Sequence, residues 1–155
     1  MAKRSAGIVL VDLSGTEPRI LLVHPGGPFW KNKDDGAWSI PKGEYGEDDD
    51  AEAAAVREFG EELGLALPDA PRLPLGDIRQ AGGKVVTAWA VSGSIDPSAA
   101  QSNSFEMEWP PKSGRTQSFA EVDRAAFFTF AEAMVKMLAG QRPLLQRALD
   151  ALQPP

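Results

Sequence analysis

The 155-residue chain contains no cysteine, and that absence removes disulfide staples, thiolate zinc sites and cysteine nucleophiles together. Histidine occurs once, at His24, so a histidine-rich metal centre is excluded and a Ser-His-Asp triad could run only through that residue. No apolar run reaches the roughly 18 residues of a membrane helix. Met1 to Arg4 is basic, but a strand-like run containing Asp12 follows it, without the shape of a signal peptide. The cytoplasm is the expected location. Positive charge is also scarce: 16 Lys and Arg face 22 Asp and Glu, for a net charge of −6 and a pI near 4.8. This balance argues against duplex DNA or an anionic membrane as partners. A small anionic substrate stays open, because a bound cation inverts the local potential.

What remains is ordinary globular material, 43% apolar and 25% charged, long enough for one domain with a real core. With no repeat and no composition break, a single domain over residues 1–155 is expected, as monomer or homodimer. Ser5–Leu13 and Arg19–His24 read as strands joined by a turn at Ser14–Pro18. Pro25–Gly36 is a loop, with Phe29 and Trp30 read as its anchors. Ala37–Ile40 reads as a short strand that Pro41-Lys42-Gly43 breaks. Leu75–Arg79 and Val85–Val91 follow as strands, the second apolar enough to be covered on both faces. Ser104–Trp109 alternates, with Phe105, Met107 and Trp109 on one side and Glu106 and Glu108 on the other. A last strand is expected near Ala125–Phe128. The T-x-x-E pair Thr129 and Glu132 caps a helix running from Phe130 to about Ala139, and Pro143 opens a final one reaching Leu152. Strands mixed with a few helices predict an α/β sandwich with helices on the sheet faces.

The most informative stretch is Gly43 to Leu65, GEYGEDDDAEAAAVREFGEELGL. A glycine-bounded acidic loop runs into a helix expected to start at Asp49 or Asp50, with Asp49 and Glu52 at capping-box spacing, and to end at Gly64. At about 100° per residue, Glu58, Glu61 and Glu62 share a sector of roughly 100°, beside an apolar sector of Ala55, Val56, Phe59 and Leu63. Like charges at this spacing repel by about 0.2–0.5 kcal/mol per pair and stand at the wrong end of the helix dipole. Either the face is simply solvated, or a hard divalent cation such as Mg²⁺ compensates it.

The same stretch resembles the Nudix box: a glycine, five residues, a glutamate, seven residues, then R-E-U-x-E-E-x-G-U with U bulky and apolar. Gly43 is the glycine, and Arg57-Glu58-Phe59-Gly60-Glu61-Glu62-Leu63-Gly64-Leu65 is the conclusion. Asp49 stands where the first glutamate belongs, and Phe59 is aromatic where an aliphatic residue is commoner. The resemblance implies a Nudix-like α/β/α sandwich with a mixed β-sheet. It also implies Mg²⁺- or Mn²⁺-dependent hydrolysis of a pyrophosphate linkage in a nucleoside diphosphate derivative by water. Glu58, Glu61, Glu62 and the Gly43 carbonyl would hold metal, and Arg57 would orient a box carboxylate. Glu61, Glu62 or a later acid, Glu106 or Glu108, would be the base. Lys42, His24 and Trp38 are candidates for contact with a small anionic nucleotide. Against each stands a plain reading: a solvated loop lysine, a strand-end histidine, a core tryptophan, and the wet face of an edge strand.

Substrate cues within the family conflict. The tyrosine of the dinucleoside polyphosphate branch is replaced here by Ala81-Gly82-Gly83, and the proline of the ADP-ribose branch by Gln80. Trp38-Ser39-Ile40-Pro41-Lys42-Gly43 nevertheless resembles the lead-in of dinucleoside polyphosphate and RNA 5′-end hydrolases. A nucleotide pyrophosphohydrolase of open substrate is the first expectation. The alternatives are one of those two hydrolases, or a catalytically weak Nudix-like binding or regulatory module.

Overall fold

The computed structural model describes residues 3–153. Met1, Ala2, Pro154 and Pro155 lie outside them, and with them the first half of the basic N-terminus. Eight strands and three α-helices follow in the order β1 (Arg4–Asp12), β2 (Arg19–Pro25), β3 (Lys42–Glu44), α1 (Ala51–Leu63), β4 (Leu73–Arg79), β5 (Val85–Ser92), β6 (Ser104–Glu108), β7 (Thr116–Ala120), β8 (Val122–Thr129), α2 (Phe130–Lys136) and α3 (Pro143–Leu152).

The main sheet runs β4-β5-β1-β2-β8, with β3 also paired to β1. It is mixed: β1 lies parallel to β5 along its length and antiparallel to β2 and β3. Strand β1 is apolar throughout because both its faces are covered. Its side chains alternate. Val9 and Val11 join one core with Ile20, Leu22, Met137, Leu144, Leu145 and Ala148, beneath α2 and α3. Ala6, Ile8 and Leu10 join the other with Ala54, Ala55, Phe59 and Leu63, beneath α1. The result is a sheet between helical layers. Phe59 is completely buried, which is worth about 1.5–3 kcal/mol for a side chain of this size. An aromatic residue at that box position therefore serves as the main plug of α1 on the sheet.

One edge of β1 is shared. Near its end it pairs with the start of β2, Val11 opposite Ile20, and near its start with β3, Ala6 opposite Gly43. The segment between fills the fork. The Ile8 N–H donates to the Pro41 carbonyl at 3.1 Å, and Val23 and Ser39 exchange backbone bonds at 2.8 and 3.0 Å. Buried Gln141 holds the fork from the opposite layer: its Oε1 accepts the Ile40 N–H at 3.0 Å, and its Nε2 donates to Ser39 Oγ and Gln80 Oε1.

Several sequence expectations are corrected. Lys42-Gly43 is strand rather than break, whereas Ala37–Ile40 makes only single bridges, Trp38 with Met137 and Ser39 with Val23. Helix α1 is capped by Asp50, whose side chain accepts the Ala53 N–H at 3.0 Å. Asp49 instead closes the acidic loop, accepting the Gly46 N–H at 2.8 Å. Helix α2 ends at Lys136, short of Ala139, because Leu138 turns back to donate to the Trp38 carbonyl. Strand β8 begins at Val122, and β7 is an additional strand paired with β6 in a separate two-stranded ribbon. Trp30 packs on the core as a loop anchor, but Phe29 is 61% exposed and anchors nothing.

Candidate active site

Helix α1 ends tightly. Gly64 adopts φ 63°, and its N–H donates to Gly60 at 2.7 Å, which fixes the last turn carrying Glu58, Glu61 and Glu62. That turn lies against β3. The Lys42 N–H donates to Glu62 Oε2 at 3.3 Å. A Cβ on Gly43 would run into the Glu58 carboxyl group, so only glycine lets the β3 backbone come this close. Arg57 spans two acids, 3.4 Å from Glu58 Oε1 and 3.9 Å from Glu61 Oε1. Partly exposed pairs of this kind add little stability; their effect is to bias carboxylate rotamers.

The electrostatics are those of crowded, partly dry acids. Burial pushes the Glu62 carboxyl up to about 8, with Lys42 opposing the rise and Glu58 and Glu121 adding to it. Glu58 is also raised, by burial first and then by Glu61. Lys42 is lowered, because burial and Lys84 outweigh its attraction to Glu62, Glu44 and Glu58. Among the described residues no closed cage of three or more acidic or histidine groups is assembled. The carboxylates nonetheless raise one another's protonation, which a divalent cation bound among them relieves. The donor set is all oxygen, which suits Mg²⁺ or Mn²⁺.

A cavity of about 190 Å³ adjoins Lys42 and Glu62, lined also by Val23, Trp30, Ser39 and Glu121. Glu121 is the site acid that sequence reasoning missed. It is a lone glutamate between β7 and β8, with no spacing to mark it. Only the sheet order, which sets β8 beside β2, carries it toward α1. The other candidates stand elsewhere. His24 is fully buried, its Nε2 donating to the Lys33 carbonyl at 2.7 Å and its Nδ1 2.8 Å from Asp123 Oδ1. Trp38 is buried edge-on between His24 and Phe128 and donates through Nε1 to Asp34. Glu106 and Glu108 lie on the exposed face of the β6–β7 ribbon, where Glu108 Oε1 accepts the Lys112 N–H at 2.7 Å.

The family model described as NUDIX domain matches residues 1–148. No curated protein sequence matches the chain. Among solved structures, the NUDIX domain of Shewanella oneidensis NrtR complexed with ADP ribose is similar, with TM-score 0.65 and 20% identity over 99% of this chain and 90% of that one. A C. elegans Ap4A hydrolase binary complex gives TM-score 0.62 and 19% identity, over 92% and 93% of the two chains. A mutT/nudix family protein from Listeria innocua gives 0.62 and 22%, over 97% and 93%. At these identities the likeness is one of fold. No helix among the described residues is long and apolar enough to cross a membrane.

Proposed function

The chain belongs to the Nudix family, and from that premise we propose that it hydrolyses a pyrophosphate linkage in a nucleoside diphosphate derivative, by attack of water on phosphorus, using Mg²⁺ or Mn²⁺. The observation that carries the reading is the close seat of Gly43 against Glu58, beside Glu62 and Glu121, on an anionic cleft that Lys42 also lines. In this reading Glu58, Glu61, Glu62 and the Gly43 carbonyl hold the cation. Bound there, a divalent ion supplies charge neutralisation for the pyrophosphate oxygens and acidifies water. Arg57 keeps Glu58 and Glu61 turned toward it. Lys42 offers a point charge to a phosphate oxygen. Glu121, from the opposite wall of the cleft, accepts the proton of the attacking water. Asp49 closes the loop and takes no part in binding metal. The working unit is a single domain over residues 1–155 in the cytoplasm, acting on a small anionic nucleotide.

Two structural neighbours, an Ap4A hydrolase and a domain complexed with ADP ribose, set the first substrates to try. The test is a product-resolved turnover screen with Mg²⁺ and Mn²⁺. It spans normal and oxidised dNTPs, dinucleoside polyphosphates, ADP-ribose, nucleotide sugars and 5′-triphosphorylated RNA. The expected result is one substrate class well above the rest, with turnover lost in Glu62→Gln and reduced in Glu121→Gln. Wild-type turnover in Glu62→Gln would refute the site. Binding of the same ligands without product would favour the binding-module alternative.

A further inference from the structure

A second cavity, about 570 Å³, opens on the other side of the loop that leaves β2. Its walls are Gly27, Pro28 and Lys31 from that loop, Trp109, Gln117 and Phe119 from the β6–β7 ribbon, and Ala120 and Asp123. The carboxylate cleft and this cavity share a partition. Along residues 120–123, Glu121 and Val122 line the cleft with Glu62, whereas Ala120 and Asp123 line the cavity. The partition is rigidly built. Gly26 abuts the Ala120 carbonyl so closely that a Cβ there would overlap it, and the Gly26 N–H donates to the Glu121 carbonyl at 2.9 Å. Buried His24 joins the two sides again, from Lys33 in the loop to Asp123 in β8.

The ribbon contributes aromatic surface that no core uses. Trp109 is half-buried, and Phe29 stands on it edge to face at 5.5 Å while itself 61% exposed. Exposed aromatics arranged as a wall, with a cation and an amide at hand, match a planar, hydrogen-bonding ring that carries phosphate. The volume lies within the range of small-molecule sites, roughly 300–1,000 Å³. Lys31, exposed on the rim, is suited to a phosphate or ribose-phosphate oxygen.

We infer that the cavity between the 26–31 loop and the β6–β7 ribbon receives a nucleobase of the substrate, stacked on Trp109, with its phosphate chain passing Lys31 toward the carboxylates. The inference deepens the hydrolase reading and rests on it for which molecule brings the base. It assigns Trp109, Phe29 and Lys31 to specificity and explains why the aromatic face of the ribbon is not buried.

The test measures binding without metal and without turnover, so that it stands apart from the hydrolase reading. AMP, GMP, CMP and UMP are titrated calorimetrically, in EDTA, against ribose 5-phosphate. The expected result is at least one nucleotide bound tenfold or more tightly than ribose 5-phosphate. That preference falls about tenfold in Trp109→Ala and persists in Trp109→Phe, since base–aromatic stacking is sequence-tolerant. Phe29→Ala, a change at an exposed side chain, lowers it severalfold and keeps the proposal testable if Trp109→Ala fails to fold. Lys31→Glu weakens AMP but not adenosine. Equal affinity for the four nucleotides and ribose 5-phosphate, or an unchanged preference in folded Trp109→Ala or Phe29→Ala, would overturn the assignment. Base preference lost in these variants with no turnover by the wild type would leave the cavity standing and the hydrolase reading in error. Turnover with no base preference would do the reverse.

Discussion

Replacing Glu62 by glutamine removes the acid that the fold holds in its least comfortable state. In the folded chain its carboxyl titrates near 8, against 4.5 for the free group. The sign follows from proton linkage. Between those values the unfolded chain has released the proton and the folded chain has kept it, so stability falls as pH rises from about 4.5 to about 8. At 1.36 kcal/mol per pH unit the interval sets a ceiling of about 5 kcal/mol, all of it against the metal-free fold above pH 8. Two effects reduce it. Water reaches a carboxylate that is not fully enclosed, and a neutral amide in its place no longer attracts the buried Lys42 ammonium. A net gain of about 1–3 kcal/mol is expected for Glu62→Gln near pH 9, shrinking toward nothing near pH 5. Urea unfolding in EDTA at both pH values measures it. Added Mg²⁺ should raise the wild-type midpoint at pH 9 and leave the variant nearly unmoved, because the cation favours the ionised carboxylate. A variant no more stable than wild type at pH 9, or a gap that does not change with pH, would refute the account of Glu62 as buried and strained.

Two further outcomes are expected. Gly43→Ala should leave the fold intact by circular dichroism, because the glycine is needed for close approach rather than for its backbone angle. It should displace Glu58 and lower turnover roughly 10- to 100-fold in a Mg²⁺ titration, the range for disturbing a ligand's support, and unaltered kinetics would refute the contact. Gln141→Leu leaves the buried Ile40 N–H without its acceptor, so the urea midpoint should fall by an amount equivalent to about 1–3 kcal/mol; no change would mean that the fork between β1 and β2 is held by other contacts.

Much of the architecture was legible because its signals were local. Unbroken apolar runs marked β1 and β5, Gly64 marked the end of α1, and Thr129 with Glu132 forms the capping box that their spacing predicts. The errors fall where the deciding partner is distant in sequence. Asp48, Asp49 and Asp50 are interchangeable as caps on paper, and only the docking of α1 selects Asp50. Strand β7, almost wholly exposed, has no burial pattern to betray it and exists because β6 offers an edge. The box carboxylates could be named from spacing alone. Glu121 and the aromatic cavity could not, since each is made where β8 and the ribbon meet residues of the loop after β2.

The pairing of β1 also has a kinetic side. The strand that opens the chain finds its full-length parallel partner only in β5, Arg4 opposite Val85 and onward to Val11 opposite Ser92. Such non-local pairing must close a long loop before any contact repays it, and it is intrinsically slow. During synthesis the whole acidic signature is complete at Leu65, while the sheet that will seat it still lacks a flank. The carboxylates therefore emerge without a scaffold, and a product that stops short of β5 carries the motif but not the site. Activity should appear late and all at once, with the closing of the sheet, rather than growing as the chain lengthens.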